Sequence, residues 1–106
     1  MKFQPVQIVS TYPTGEDAAR TGEEAVKLHM AACAQVSSEI TSIYRWEGAV
    51  TSSREFQLTL KTLNTMETRL ISWLREHHPY QVAEILVVPL SCVSPEYLSW
   101  MKEVVN

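Results

Sequence analysis

Residues 40–50, ITSIYRWEGAV, followed by residues 51–62, TSSREFQLTLKT, decide the fold. In the second segment Phe56, Leu58 and Leu60 alternate with Glu55, Gln57, Thr59 and Lys61. That period of two marks a strand with one buried face. The first segment holds Ile40, Thr41, Ile43, Tyr44 and Trp46, all strand formers. Between them Glu47-Gly48 and Thr51-Ser52-Ser53 supply turn chemistry. The stretch reads as one β-hairpin with arms of about ten residues, against a usual strand length of roughly 5–6. Such a hairpin overhangs a small domain, and a neighbouring subunit is the natural cover for it.

Working outward, Val6–Tyr12 forms a first strand closed by Pro13. Thr14 caps a helix whose first turn carries Glu16 and Asp17, and the spacing predicts that it runs to about Met30. Its stripe of Ala18, Gly22, Ala25, Val26 and His29 is mostly small, so the helix can lie close on a sheet. Residues 31–36 lead into a second strand, interrupted at Ser37-Ser38-Glu39 by a bulge or kink. After the hairpin, Asn64 with Glu67 three residues on gives a capping-box start to a second helix. Pro79 stops that helix near His78. Gln81–Leu90 is an almost unbroken apolar run, expected as a strand buried on both faces near mid-sheet, with Pro89 at a bulge or strand end. Ser94-Pro95 opens a terminal helix to Val105.

The order β-α-β-β-α-β plus a C-terminal helix predicts a single α+β domain over residues 1–106, of the split-βαβ, ferredoxin-like kind. Small α+β sandwiches with another strand order are the structural alternative. Both helices then cover one face of the sheet and leave the other bare, so oligomerisation is expected. With 106 residues, 45% apolar and 20% charged, the chain is sized for one core. Its net charge of −3 argues against nucleic acid or an anionic membrane as partner. No apolar run approaches the ~20 residues of a membrane span. The start, MKFQPVQ, lacks a signal-peptide core. Cys33 and Cys92 stand far apart in no metal-type spacing, which fits buried thiols in a reducing cytoplasm.

The motifs AAC at 31–33, SIYRWEG at 42–48, LTLKT at 58–62 preceded by Glu55, HHPYQVAEILVVP at 77–89 and YLSW at 97–100 occur together. In this order and spacing they closely resemble the CutA family, the divalent-ion tolerance proteins, over essentially the whole chain. The resemblance implies a ferredoxin-like homotrimer in which the long hairpins pair with neighbouring subunits. It implies a cytoplasmic protein linked to tolerance of copper and other divalent cations, and no enzymatic activity. Two positions depart from the family. Ala83 stands where a proline is usual. Ser10 stands where some members carry a cysteine counted, with the paired histidines, among copper ligands.

His77-His78 is the sharpest candidate for metal chemistry, since imidazole suits Cu(II), Zn(II) and Ni(II). Adjacent helical side chains point about 100° apart, so one ion takes both only where the helix has unwound or symmetry mates add ligands. The competing reading is that both imidazoles serve the last carbonyls of the helix. His29 reads as a helix-end or core residue. Cys33 reads as a buried thiol or a soft Cu(I) ligand, and Cys92 as the more exposed of the two. Glu84, inside an apolar strand, needs a partner, and Lys61 is the expected mate, as an ion pair or as part of a ligand cleft. Tyr44, Arg45 and Trp46 fit packing at a subunit interface.

Three functions follow for testing: a trimeric metal-responsive protein binding copper or another divalent cation at His77 and His78; a small-molecule-binding regulatory trimer like the PII signalling proteins, using clefts near Glu84, Lys61 and Tyr44; or a scaffold for a partner protein. No nucleophile–base set or glycine-rich phosphate loop emerges.

Overall fold

The computed structural model describes residues 3–106. The chain runs β1 (Pro5–Tyr12), α1 (Gly15–Lys27), β2 (Cys33–Trp46), β3 (Ala49–Leu63), a 3-10 turn (Asn64–Met66), α2 (Glu67–His77), β4 (Ile85–Pro89) and α3 (Pro95–Val104). The strands form one antiparallel sheet in the order β2-β3-β1-β4. This is the ferredoxin-like arrangement expected from the sequence.

The inward face is built by alternation. Val6, Ile8, Ser10 and Tyr12 of β1 lie beside Leu58, Leu60 and Thr62 of β3, and all are buried. Against them pack Ala18 and Ala25 of α1, Leu70 and Leu74 of α2, and Met101 of α3. Each large aliphatic side chain so buried stabilises the fold by roughly 1.5–3 kcal/mol. The small stripe on α1 does what its size allows. A Cβ on Gly22 would lie 2.8 Å from the Ala34 Cβ and 3.0 Å from Leu58 Cδ1, so helix and sheet touch there through hydrogen. Thr14 caps α1, its Oγ1 accepting from the Asp17 N–H at 3.0 Å.

The hairpin is longer than the sequence suggests. Its arms contain 14 and 15 residues, and at ~3.3 Å per residue they match the 45 Å long axis of the molecule. The turn is Glu47-Gly48 alone, with φ of +48° and +82°, the positive pair that a two-residue hairpin demands. Thr51-Ser52-Ser53 is not a turn. These residues pair with Tyr44, Ile43 and Ser42 inside the ladder, because one tight turn already reverses the chain. The expected irregularity at Ser37-Ser38 is present as a register shift between Val36 and Glu39.

Three other boundaries differ from expectation. Helix α1 ends at Lys27, not near Met30, because His29 takes φ +62° and turns the chain off the helix. Asn64 does not cap α2. Its Oδ1 accepts from Gln4 N–H at 3.0 Å and its own N–H bonds the Gln4 carbonyl, tying the start of β1 to the end of β3. The segment 81–90 is not a long central strand. Only Ile85–Pro89 pairs, at the sheet edge, where Ile85 and Val87 face the core and Leu86 and Val88 are exposed. Its apolar run reflects a strand whose second face is bare within one chain. Pro89 ends the strand, as a residue without an N–H should.

Candidate functional site

The site lies where α2 ends. Pro79 keeps His78 out of helical geometry, and His78 takes φ −81°, ψ 138° directly after the last helical residue, His77. That single step sends the two rings in different directions. His77 folds back on its own helix. Its Nδ1 lies 2.8 Å from the Trp73 carbonyl and its ring centre 5.0 Å from the Trp73 ring, and the residue is exposed. The Nδ1–H thus serves a terminal carbonyl of α2, and Nε2 has no protein partner among the described residues.

His78 turns inward. Its ring stacks on Tyr12 at 4.3 Å and 26° and meets Tyr80 at 5.1 Å. Its Nε2 is 3.0 Å from Ser10 Oγ, and its Nδ1 accepts from the Tyr80 N–H at 3.1 Å. Burial pushes the His78 imidazole below the ordinary histidine value. Tyr80 is pushed strongly upward, first by burial and then by the Glu55 carboxylate beside its hydroxyl. Glu55 is itself buried. The Tyr12 hydroxyl, near Ser10 and Thr21, is buried without a hydrogen bond of normal geometry. The inward group is therefore Ser10, Tyr12, Glu55, His78 and Tyr80. Besides His78, the sequence pointed only to Ser10, as the position where some family members carry a ligating cysteine; Tyr12, Glu55 and Tyr80 were not singled out for the site. The signal was there for Ser10 and Tyr12, since period two along β1 places them on the buried face with Val6 and Ile8, where a polar group requires a partner.

The other candidates lie elsewhere. Glu84 precedes β4 and is exposed, so it needs no mate, and no Lys61–Glu84 ion pair forms among the described residues. The ion pairs found there are Asp17–Arg20, Glu23–Lys27 and Glu39–Arg54. Lys61 lies opposite Cys33, its ammonium 6.0 Å from the Tyr97 ring centre. Cys33 is half-buried beside the Tyr97 hydroxyl and Cys92 is exposed; both are free thiols. Tyr44 reaches Ser53 Oγ at 3.2 Å on the exposed hairpin. His29 is the helix-end residue expected of it: its Nδ1 lies 3.1 Å from the Val104 carbonyl, and its own carbonyl accepts from Asn106, docking the chain's end on α1. A wide groove of about 730 Å³ runs beside the site between α2 and residues 80–85, lined in part by Ile71, Arg75, Tyr80, Val82 and Ile85. Among the described residues no three His, Cys, Asp or Glu side chains converge as a metal cage. None of the described helices is long and apolar enough to cross a membrane.

Comparison with known proteins agrees with this geometry. The sequence profile of the CutA1 divalent ion tolerance protein family matches residues 6–104. A probable divalent-cation tolerance protein cutA homolog from Encephalitozoon cuniculi is 37% identical over 103 residues, 97% of this chain and 90% of that protein. The divalent-cation tolerance protein CutA of Salmonella newport is 36% identical over 98 residues, 92% of this chain and 85% of that one. The solved structure of the divalent cation tolerance protein (Cut A1) from Thermus thermophilus superposes with a TM-score of 0.92 at 32% identity, covering 96% of this chain and 99% of that one.

Proposed function

The chain belongs to the CutA1 divalent ion tolerance family, and from that premise we propose that it acts in divalent-cation tolerance as a cytoplasmic homotrimer. It meets copper or another divalent cation at the end of α2, where His77 and His78 stand. The observation that carries this reading is the outward Nε2 of His77, an imidazole nitrogen open to solvent. The donor set fits a weakly held ion. One imidazole is open, and the second is turned inward onto the buried Ser10 hydroxyl, which stands where a soft sulfur would bind copper more strongly. A structural zinc site needs about four protein ligands, and the described residues of one chain bring no three His, Cys, Asp or Glu together.

The trimer is supported by surface. Ile43, Trp46 and Val50 stand exposed on the projecting hairpin, and Leu86 and Val88 on the bare sheet face. Both outer strands, β2 and β4, offer unpaired edges. The radius of gyration of 14.4 Å exceeds the ~13 Å of a compact domain of this length. A second chain covering the overhang accounts for all three. The free thiols support a reducing compartment.

The role is binding, not catalysis. Ser10 Oγ and His78 Nε2 have the spacing of a nucleophile and its base. Yet Ser10 is only 1% exposed, which supports binding over catalysis.

Calorimetric titration of chelator-treated protein with Cu(II) and Zn(II), beside a His77→Ala/His78→Ala variant, tests the site. Stoichiometric heat lost in the variant supports it, and equal binding in both proteins removes it. Should binding be equal, the groove beside α2, whose volume lies in the range of small-molecule sites, becomes the place to screen metabolites.

A further inference from the structure

The two histidines are chemically different. A backbone N–H only donates, so the His78 Nδ1 that meets the Tyr80 N–H at 3.1 Å must present a lone pair. The proton of the neutral ring is therefore on Nε2, and it points at Ser10 Oγ 3.0 Å away. Each nitrogen is committed, one as acceptor and one as donor. The ring faces are committed too, to Tyr12 at 4.3 Å and Tyr80 at 5.1 Å.

We propose that His78 is a latch and not a ligand: locked as the Nε2–H tautomer between Ser10 and the Tyr80 backbone, it pins the α2–β4 connection onto β1 and leaves His77 as the ligating member of the pair. This rests on the reading of the pair as the metal contact and says how the pair divides the work.

Coordination through His78 Nε2 would require moving its proton to Nδ1. There it would face the Tyr80 N–H, two donors opposed, and the amide would lose its acceptor. Coordination through Nδ1 would displace the same amide. On the Nε2 side Ser10 is 1% exposed and Tyr12 is equally buried, so no hydrated ion can approach. His77 has none of these obstacles. Its Nδ1–H serves Trp73 O, which fixes the tautomer with a free lone pair on Nε2, the arrangement found in metal-ligating histidines. The latch also explains how the 78–84 connection, which lies outside helix and strand, is fixed to a strand 68 residues away in sequence.

Long-range proton–nitrogen NMR correlation on the ¹⁵N-labelled full chain, slightly above neutral pH, tests this, with zinc chloride added stepwise. The expected spectrum has His78 protonated on Nε2 and unprotonated on Nδ1. Zinc shifts the His77 Nε2 resonance and leaves both His78 nitrogens in place. In a Ser10→Ala variant the His78 Nε2–H exchanges faster with water while the zinc response of His77 is retained. A His78 ring protonated on Nδ1, or one whose nitrogens move with zinc in step with those of His77, overturns the proposal. If neither histidine responds to zinc, the metal reading fails, and the wild-type tautomer still decides the latch by itself.

Discussion

Replacing Tyr12 by Phe should make this protein more stable, an unusual outcome for a change in a core. The Tyr12 ring is 1% exposed and stacks on His78 at 4.3 Å, and Phe keeps both features. What is lost is a hydroxyl that has no hydrogen bond of normal geometry. Ser10 and Thr21 lie nearby but outside normal hydrogen-bond geometry with it; Ser10 meets His78, and Thr21 donates to the Asp17 carbonyl at 2.8 Å. A buried hydroxyl left unpaired costs about 1–3 kcal/mol. Against this stands the lost dispersion of one oxygen, a few contacts at ~0.1–0.2 kcal/mol each. The net is a gain of about 1 kcal/mol, which corresponds to roughly 4–8 °C in Tm for a domain near this size. Denaturant unfolding of both proteins at one protein concentration measures it, because any protein that assembles has a concentration-dependent midpoint. A higher midpoint with an unchanged slope bears out the orphaned hydroxyl. A loss of about 1 kcal/mol or more would show that the hydroxyl is bonded, to Ser10, to Thr21 or to a buried water, and would refute the reasoning.

Four further outcomes follow from the same geometry. Burial lowers the folded-state pKa of His78, so the unfolded chain binds the proton first; stability should be full above the ordinary value of about 6.5 and fall as pH drops through the lower folded value. Unfolding midpoints that are as flat with pH in wild type as in His78→Gln would count against this. Gly22→Ala gains about 1 kcal/mol of helix propensity but forces a Cβ to 2.8 Å from Ala34, an overpacking cost of roughly 1–3 kcal/mol; the variant should be the less stable, with Ala34→Gly rescuing it, and absence of rescue in the double variant would place the strain elsewhere. Burial holds the phenols of Tyr12, Tyr80 and Tyr97 above the ordinary 10; an alkaline absorbance titration should find these three ionising late, and ordinary ionisation of all three would contradict the packing around them. Deleting the hairpin tip, residues 45–50, should weaken assembly in light scattering while far-ultraviolet dichroism keeps its sheet signal, and an undiminished oligomer would remove the hairpin from the interface.

Much of the architecture could be read from local chemistry. Alternation in 55–61, the Thr14 cap, the Gly48 turn and the proline after His78 each act within a few residues, and each appears where expected. Local patterns also misled. Thr51-Ser52-Ser53 has turn composition but lies in a ladder whose reversal was already made at Glu47-Gly48. Asn64 has the form of a helix cap, but Gln4, sixty residues away, takes its side chain. The apolar run 81–90 reads as a central strand because hydrophobicity reports apolar faces, whereas strand order is set by pairing.

The sequence alone determined the family, the order of elements and the position of the paired histidines, because these depend on residue identity and short-range spacing. It could not determine what each histidine does. That was decided by tertiary structure, which brought Ser10 and Tyr12 from β1 against His78 and left His77 facing water. The physical reason is directional: a ring nitrogen's role depends on which donor or acceptor lies about 3 Å from it, and such neighbours come from segments that only the folded sheet brings together.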